Sequence, residues 1–179
     1  NKTNFKLLSM AEAPGNFVKY IQKVKHTLEP TWNNFDIFTL LTHSELIDQQ
    51  DFLKEFNNNI FKPTADFDGN LINTDNINKY IEYNKENKAD LITADGGFNK
   101  ITEDHYILEE YYHFPLFLAE CILAILNQNI NGIFILKVYD IIDINTVNLL
   151  YLLQGFYETV NIIKPYNSRP CNTEKYIYC

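Results

Sequence analysis

The chain is poor in the residues that staple or metallate small proteins. Its three cysteines, Cys121, Cys171 and Cys179, are odd in number and lack CxxC spacing. Neither a disulfide framework nor a zinc site is indicated, and a reducing compartment is the default. The four histidines, His26, His43, His105 and His113, are scattered without ligand spacing, so no metal is expected. Glycine is scarce, and neither GxGxxG nor GxxxxGK[ST] occurs, which removes the usual phosphate cradles. No apolar run reaches the roughly 18 residues that a membrane span needs. The opening Asn1-Lys2-Thr3-Asn4 has neither an initiator Met nor a signal-peptide core, so the chain is expected to be one domain out of a longer protein. Basic charge is short too. A net charge of -8 excludes a broad basic face for nucleic acid and confines any such contact to a local patch. Arginine occurs once, as Arg169 in Lys164-Pro165-Tyr166-Asn167-Ser168-Arg169-Pro170, where a guanidinium fork is the distinguishing chemistry.

What is present is enough apolar side chain, 46% of 179 residues, for a real core in a single domain. Abundant Asn, Ile, Lys and Tyr read as an AT-rich coding bias rather than as functional low complexity. Phe5 to Met10 reads as a strand, Ala11 to Asn16 as a tight loop, and Phe17, Val18, Ile21 and Val24 as one face of a helix. In a doubly wound sheet the loop after the first strand borders a ligand. Phe35 to Leu41 reads as a strand and Glu45 to Phe56 as a helix. An acidic loop from Ala65 to Ile72 leads to a helix capped by Thr74 or Asp75 and ending near Tyr83. Ala89 to Thr93 is a strand running into Ala94-Asp95-Gly96-Gly97-Phe98, either a functional strand end or an Asp-Gly turn. Glu109 to Gln128 has the length and period of a long helix. Gly132 to Asp140 is a buried strand, Asn145 to Leu153 a helix, and Tyr157 to Ile163 and Tyr176 to Cys179 are strands. The alternation predicts an α/β fold with a mostly parallel sheet.

Lys137 interrupts the apolar strand Gly-Ile-Phe-Ile-Leu-Lys-Val-Tyr-Asp. An ammonium there either snorkels to water or is paired for chemistry that tunes its pKa. Asp95 and Glu174 also fall at strand ends on one side of the sheet. A lysine between carboxylates can orient and activate a hydroxyl, and the same three residues could equally form a structural ion-pair network.

Five segments in register resemble the FtsJ-type (RrmJ-like) ribose 2'-O-methyltransferases, and within them the enzymes that methylate the first transcribed nucleotide of mRNA. They are Glu12-Ala13-Pro14-Gly15-Asn16-Phe17, Ala94 to Phe98, Ile135 to Asp140, Lys164-Pro165 with Ser168-Arg169, and Asn172 to Tyr176. Asp68 to Leu71 followed by Asp75-Asn76-Ile77 is similar to a further cap-enzyme pattern. The resemblance implies a Rossmann-like S-adenosylmethionine-dependent methyltransferase, with helices on both faces of the sheet. It assigns catalysis to Lys137, Asp95 and Glu174. The cofactor would be bordered by Glu12, Ala13, Pro14, Gly15, Asn16, Phe17, Thr39, Leu40, Asn70, Leu71 and Asp95, and RNA by Ser168 and Arg169. Capped mRNA is the implied substrate, with other domains or subunits of a capping apparatus as partners and no membrane. The setting would be a viral factory or virion in the cytoplasm, or the nucleus for a cellular protein. The alternatives are ribosomal or transfer RNA as substrate, or a non-catalytic RNA-binding domain. Two positions depart from the pattern. Ser9 stands where the family has an acid, with Glu12 as its expected substitute. A fourth catalytic lysine, carried upstream of the Ala-Pro-Gly loop, is matched by neither Lys2 nor Lys6.

Overall fold

The computed structural model describes residues 4–41, 50–97, 109–166, 168–169 and 171–179. In chain order these form β1 (Leu7–Met10), α1 (Asn16–His26), β2 (Phe35–Phe38), α2 (Gln50–Glu55), α3 (Thr74–Tyr83) and β3 (Ala89–Ala94). There follow α4 (Glu109–Asn127), β4 (Gln128–Val138), α5 (Ile144–Leu153), β5 (Asn161–Ile163) and β6 (Lys175–Tyr178). The sheet order is β2-β1-β3-β4-β6-β5. β2, β1, β3 and β4 are mutually parallel, and β6 runs antiparallel to both β4 and β5. The direction of the chain after β1 reverses at the β1/β3 boundary, so the carboxyl ends of these two strands open a crevice, the usual ligand position of such sheets.

Strand alternation divides the core in two. Leu8, Met10, Phe38, Ile92, Ala94, Phe134, Leu136 and Val138 point to one face, where they pack with α3, α4 and α5. Leu7, Phe35 and Ile37 point to the other, where Val18 of α1 and Phe52 of α2 join them. Towards β4, β6 and β5 this second face is open, with Ile133 and Ile163 exposed. Among the described residues no helix is long and apolar enough to cross a membrane.

Several boundaries differ from the sequence expectation. The α3 cap is Asn73, not Thr74 or Asp75: its side chain accepts the Asp75 amide at 3.0 Å. β4 begins four residues early, at Gln128, because Asn131 adopts a left-handed φ of 64° and, with Gly132, forms an irregularity inside the strand instead of a turn before it. β5 begins at Asn161 rather than Tyr157, whose amide still bonds to Leu153 O at 3.0 Å and closes the end of α5. Of the helix expected over 45–56, residues 45–49 lie outside the described residues.

Candidate active site

β3 and β4 end side by side, with Ala94 paired to Leu136, and β6 starts beside the end of β4, with Lys175 paired to Val138. Register therefore brings Asp95, Lys137 and Glu174 to one edge of the sheet from three separate parts of the chain. Lys137 Nζ lies 2.8 Å from Asp95 Oδ1 and donates to the Asp95 carbonyl at 2.9 Å. Both side chains keep some exposure, 12% and 22%. Glu174 stands further off: it accepts from Tyr176 OH at 3.2 Å and lines a cavity of about 420 Å³ with Phe17, Ile135, Tyr176 and Ser168.

The electrostatics of Lys137 differ from a lysine tuned down by burial. Desolvation disfavours its charge, but the Asp95 carboxylate outweighs it, with Tyr139 and Glu174 adding to the pull, and the pKa rises above the usual lysine range. Free of substrate, the residue is an ammonium held by Asp95. Gly97 leaves room here, since a Cβ on it would stand 2.7 Å from Tyr139 OH and 3.8 Å from Lys137 Nζ.

Glu12, expected from the resemblance to border the cofactor, is turned inward. It is 1% exposed, and its Oε1 accepts the amides of Phe17 and Val18 at 2.6 and 3.1 Å, so it caps α1 from below the loop. Its Oε2 accepts Ser9 Oγ at 2.6 Å, and Ser9 Oγ also meets Thr93 Oγ1 at 2.7 Å. Burial pushes the Glu12 carboxyl up to about 7 against these hydrogen bonds. Glu12 is thus joined directly to Ser9, the position where the resemblance places an acid.

The remaining positions fall around the crevice. Ala13 and Phe17 are half-buried, Pro14 and Asn16 exposed, and Gly15, buried at φ 95°, starts α1. Thr39 is buried, and Gly69 approaches its carbonyl so closely that a Cβ would lie 1.8 Å from the oxygen. Leu40 and Asn70 are half-buried, whereas Leu71 belongs to the core. Ser168 lines the cavity with Pro165, and Arg169, next in the chain, is exposed. Lys6 is remote from the site: it lies before β1, at the opposite end of the sheet, paired with Asp36. Lys2 lies outside the described residues. Two further side chains at the site were not singled out from the sequence, Tyr139, with Lys137 Nζ 5.9 Å from its ring centre, and the buried Glu120 of α4. Glu120 had a readable signal, a charge on the inward face shared by His113, Leu116 and Phe117.

The FtsJ-like methyltransferase family model matches residues 2–179. The chain belongs to this family. It is 34% identical to the cap-specific mRNA (nucleoside-2'-O-)-methyltransferase 1 of Drosophila melanogaster over 63% of its own length and 14% of that protein's. The Dictyostelium discoideum protein of the same name is 31% identical over 76% of this chain and 17% of its own. The chain thus spans about a seventh of the length of the first of these relatives. In three dimensions it resembles human methyltransferase-like protein 13 in complex with SAH, with a TM-score of 0.55 and 13% identity over 98% of this chain and 71% of that one, a likeness of fold alone.

Proposed function

We propose that this domain methylates the ribose 2'-OH of the first transcribed nucleotide of capped mRNA, with S-adenosylmethionine as the methyl donor. The observation that carries the reading is the Lys137–Asp95 pair at the carboxyl edge of the sheet, with Glu174 beside it. The names of the cap-specific relatives support the choice of RNA.

The crevice suits an adenosyl donor without phosphate. The Phe17 and Val18 amides, which a phosphate would use at the start of α1, are already taken by the Glu12 carboxylate. Ala13 to Gly15 would border the amino-acid part of the donor, Thr39 and Leu40 its ribose, and Asn70 its base. Bound S-adenosylmethionine supplies a methyl group activated on a sulfonium. Lys137 Nζ is the atom that takes the proton of the attacking hydroxyl, and for this it must first lose the proton it holds against Asp95. Asp95 orients the amine through its carboxylate and its carbonyl, and Glu174 adds a weaker field from β6. Ser168 and Arg169 stand where the RNA backbone would pass, and a guanidinium there can meet a phosphate. Because the lysine's pKa is raised, transfer should climb with pH by about tenfold per unit until Lys137 titrates.

Transfer of label from S-adenosylmethionine to a short capped RNA, followed by nuclease digestion, tests the reading. Label is expected on the ribose of the first nucleotide. Label on a base, or equal labelling of an uncapped ribosomal fragment, overturns it. Donor binding has a separate readout, a rise in melting temperature with S-adenosylhomocysteine.

A further inference from the structure

Glu120 sits in the middle of α4 with no exposure, and among the described residues neither of its carboxyl oxygens has a hydrogen-bond partner. A buried carboxyl in this state costs stability that a leucine or methionine of similar volume would not. Packing therefore does not account for it. Its position does: a Cβ on Gly96 would come within 2.5 Å of Glu120 Oε1, which places the carboxyl directly beneath the turn that carries Asp95. The Gly96 amide, short of hydrogen-bond geometry, offsets only part of the gain in proton affinity that burial brings. Burial pushes the carboxyl up to about 8; Lys137 on β4 opposes this and Asp95 after β3 adds to it. Cys121, next to it on α4, is the third titratable group that shares its field.

We propose that Glu120 is a positioning residue of this site. As a neutral acid beneath the Asp95–Gly96 turn it leaves Asp95 as the close counter-charge of Lys137, and on ionising it adds a counter-charge beyond those of Asp95 and Glu174 that tightens the lysine's hold on its proton. The inference rests on the reading of Lys137 as the proton acceptor. Its effect is to delay the appearance of the free amine as pH rises, and so to limit the alkaline gain in methyl transfer.

NMR titration of the whole chain, observing Glu120 Cδ and Lys137 Nζ with Glu120→Gln alongside, tests the coupling without any substrate. Glu120 Cδ is expected to titrate at about 8, and Lys137 Nζ to show an inflection at the same pH. In Glu120→Gln that inflection should vanish, and the Lys137 midpoint should fall by about one pH unit. A Glu120 midpoint in the ordinary carboxylate range near ~4.3, or an inflection absent from Lys137, overturns the proposal. The wild-type titration gives that answer even where the variant does not fold. In methyl-transfer assays the rising limb of Glu120→Gln should move about one unit towards lower pH, a shift that loss of packing alone would not produce. NMR coupling without transfer to RNA would support the role of Glu120 and reject the proposed reaction.

Discussion

Two lysine–aspartate pairs stand at opposite ends of the sheet, with the same 2.8 Å separation. At the amino end Lys6 meets Asp36 and donates to Asn84 Oδ1 at 2.6 Å. Asp36 accepts Tyr80 OH as well, and Asn84 donates on to Asn127 of α4. Every partner of Lys6 is fixed by another element, so its ammonium ties β1, β2, α3 and α4 together. At the carboxyl end Lys137 is held, among the described residues, by Asp95 alone, and it retains exposure beside a glycine. Neither the pair distance nor the number of acceptors, two at each Nζ, separates these lysines; the spread of the Lys6 acceptors over two parts of the chain, its burial and its position on the sheet do. A buried ammonium clamped from two parts of the chain gives a substrate oxygen no approach, whereas a partly exposed one held by a single residue can exchange a contact for a hydroxyl.

The sharpest break in this comparison is Lys137→Ala. Methyl transfer should fall about a thousandfold, with the urea midpoint and S-adenosylhomocysteine binding nearly unchanged; equal activity would remove Lys137 from the chemistry. Lys6→Met should do the reverse. It leaves Asp36 buried without its cation and should cost about 3 kcal/mol in urea unfolding, while turnover of the folded protein stays within about twofold. Glu12 gives a third, smaller difference. Its carboxyl is held at about 7 in the fold, above the ordinary 4.5, so the native state binds the proton more tightly than the unfolded chain does. The contribution is fully present below the unfolded value and disappears as pH rises through the folded one. Stability should therefore drop by about 2 kcal/mol between pH 4.5 and 7, and Glu12→Gln, which can still accept from the two α1 amides, should flatten that slope in urea titrations at several pH values. The smallest effect is expected for Glu174→Gln, about a tenfold loss of transfer, because its charge reaches Lys137 more weakly than that of Asp95.

Much of the fold was legible because the periods of helix and strand are written in neighbouring residues. α4 and α5 fall within a residue of expectation. Misplaced boundaries arose where a tertiary contact overrides local pattern. Tyr157 looked like a strand start, but its amide closes α5 and its hydroxyl bonds to Gln128 at 2.5 Å. Asn131-Gly132 looked like a turn, but pairing with β3 absorbs it as an irregularity. At the site, the trio Asp95, Lys137 and Glu174 could be ordered by motif, yet the role of Glu12 could not. Spacing along the chain does not tell whether a carboxylate faces a cofactor or turns inward to cap the next helix.

The sequence by itself determined the alternation of strands and helices, the family, and which lysine interrupts an apolar strand, since each depends on residues a few positions apart or on motifs in order. Only the tertiary structure decided that Lys6 is buried and clamped from two parts of the chain while Lys137 keeps some exposure, that Glu12 accepts two α1 amides, and that Glu120 lies beneath the Asp95–Gly96 turn. The physical reason is that the energy of a buried charge depends on solvent access and on the groups around it. Those groups come from segments as distant as Lys6 and Asn84, or Asp95 and Lys137, and only packing brings them into contact.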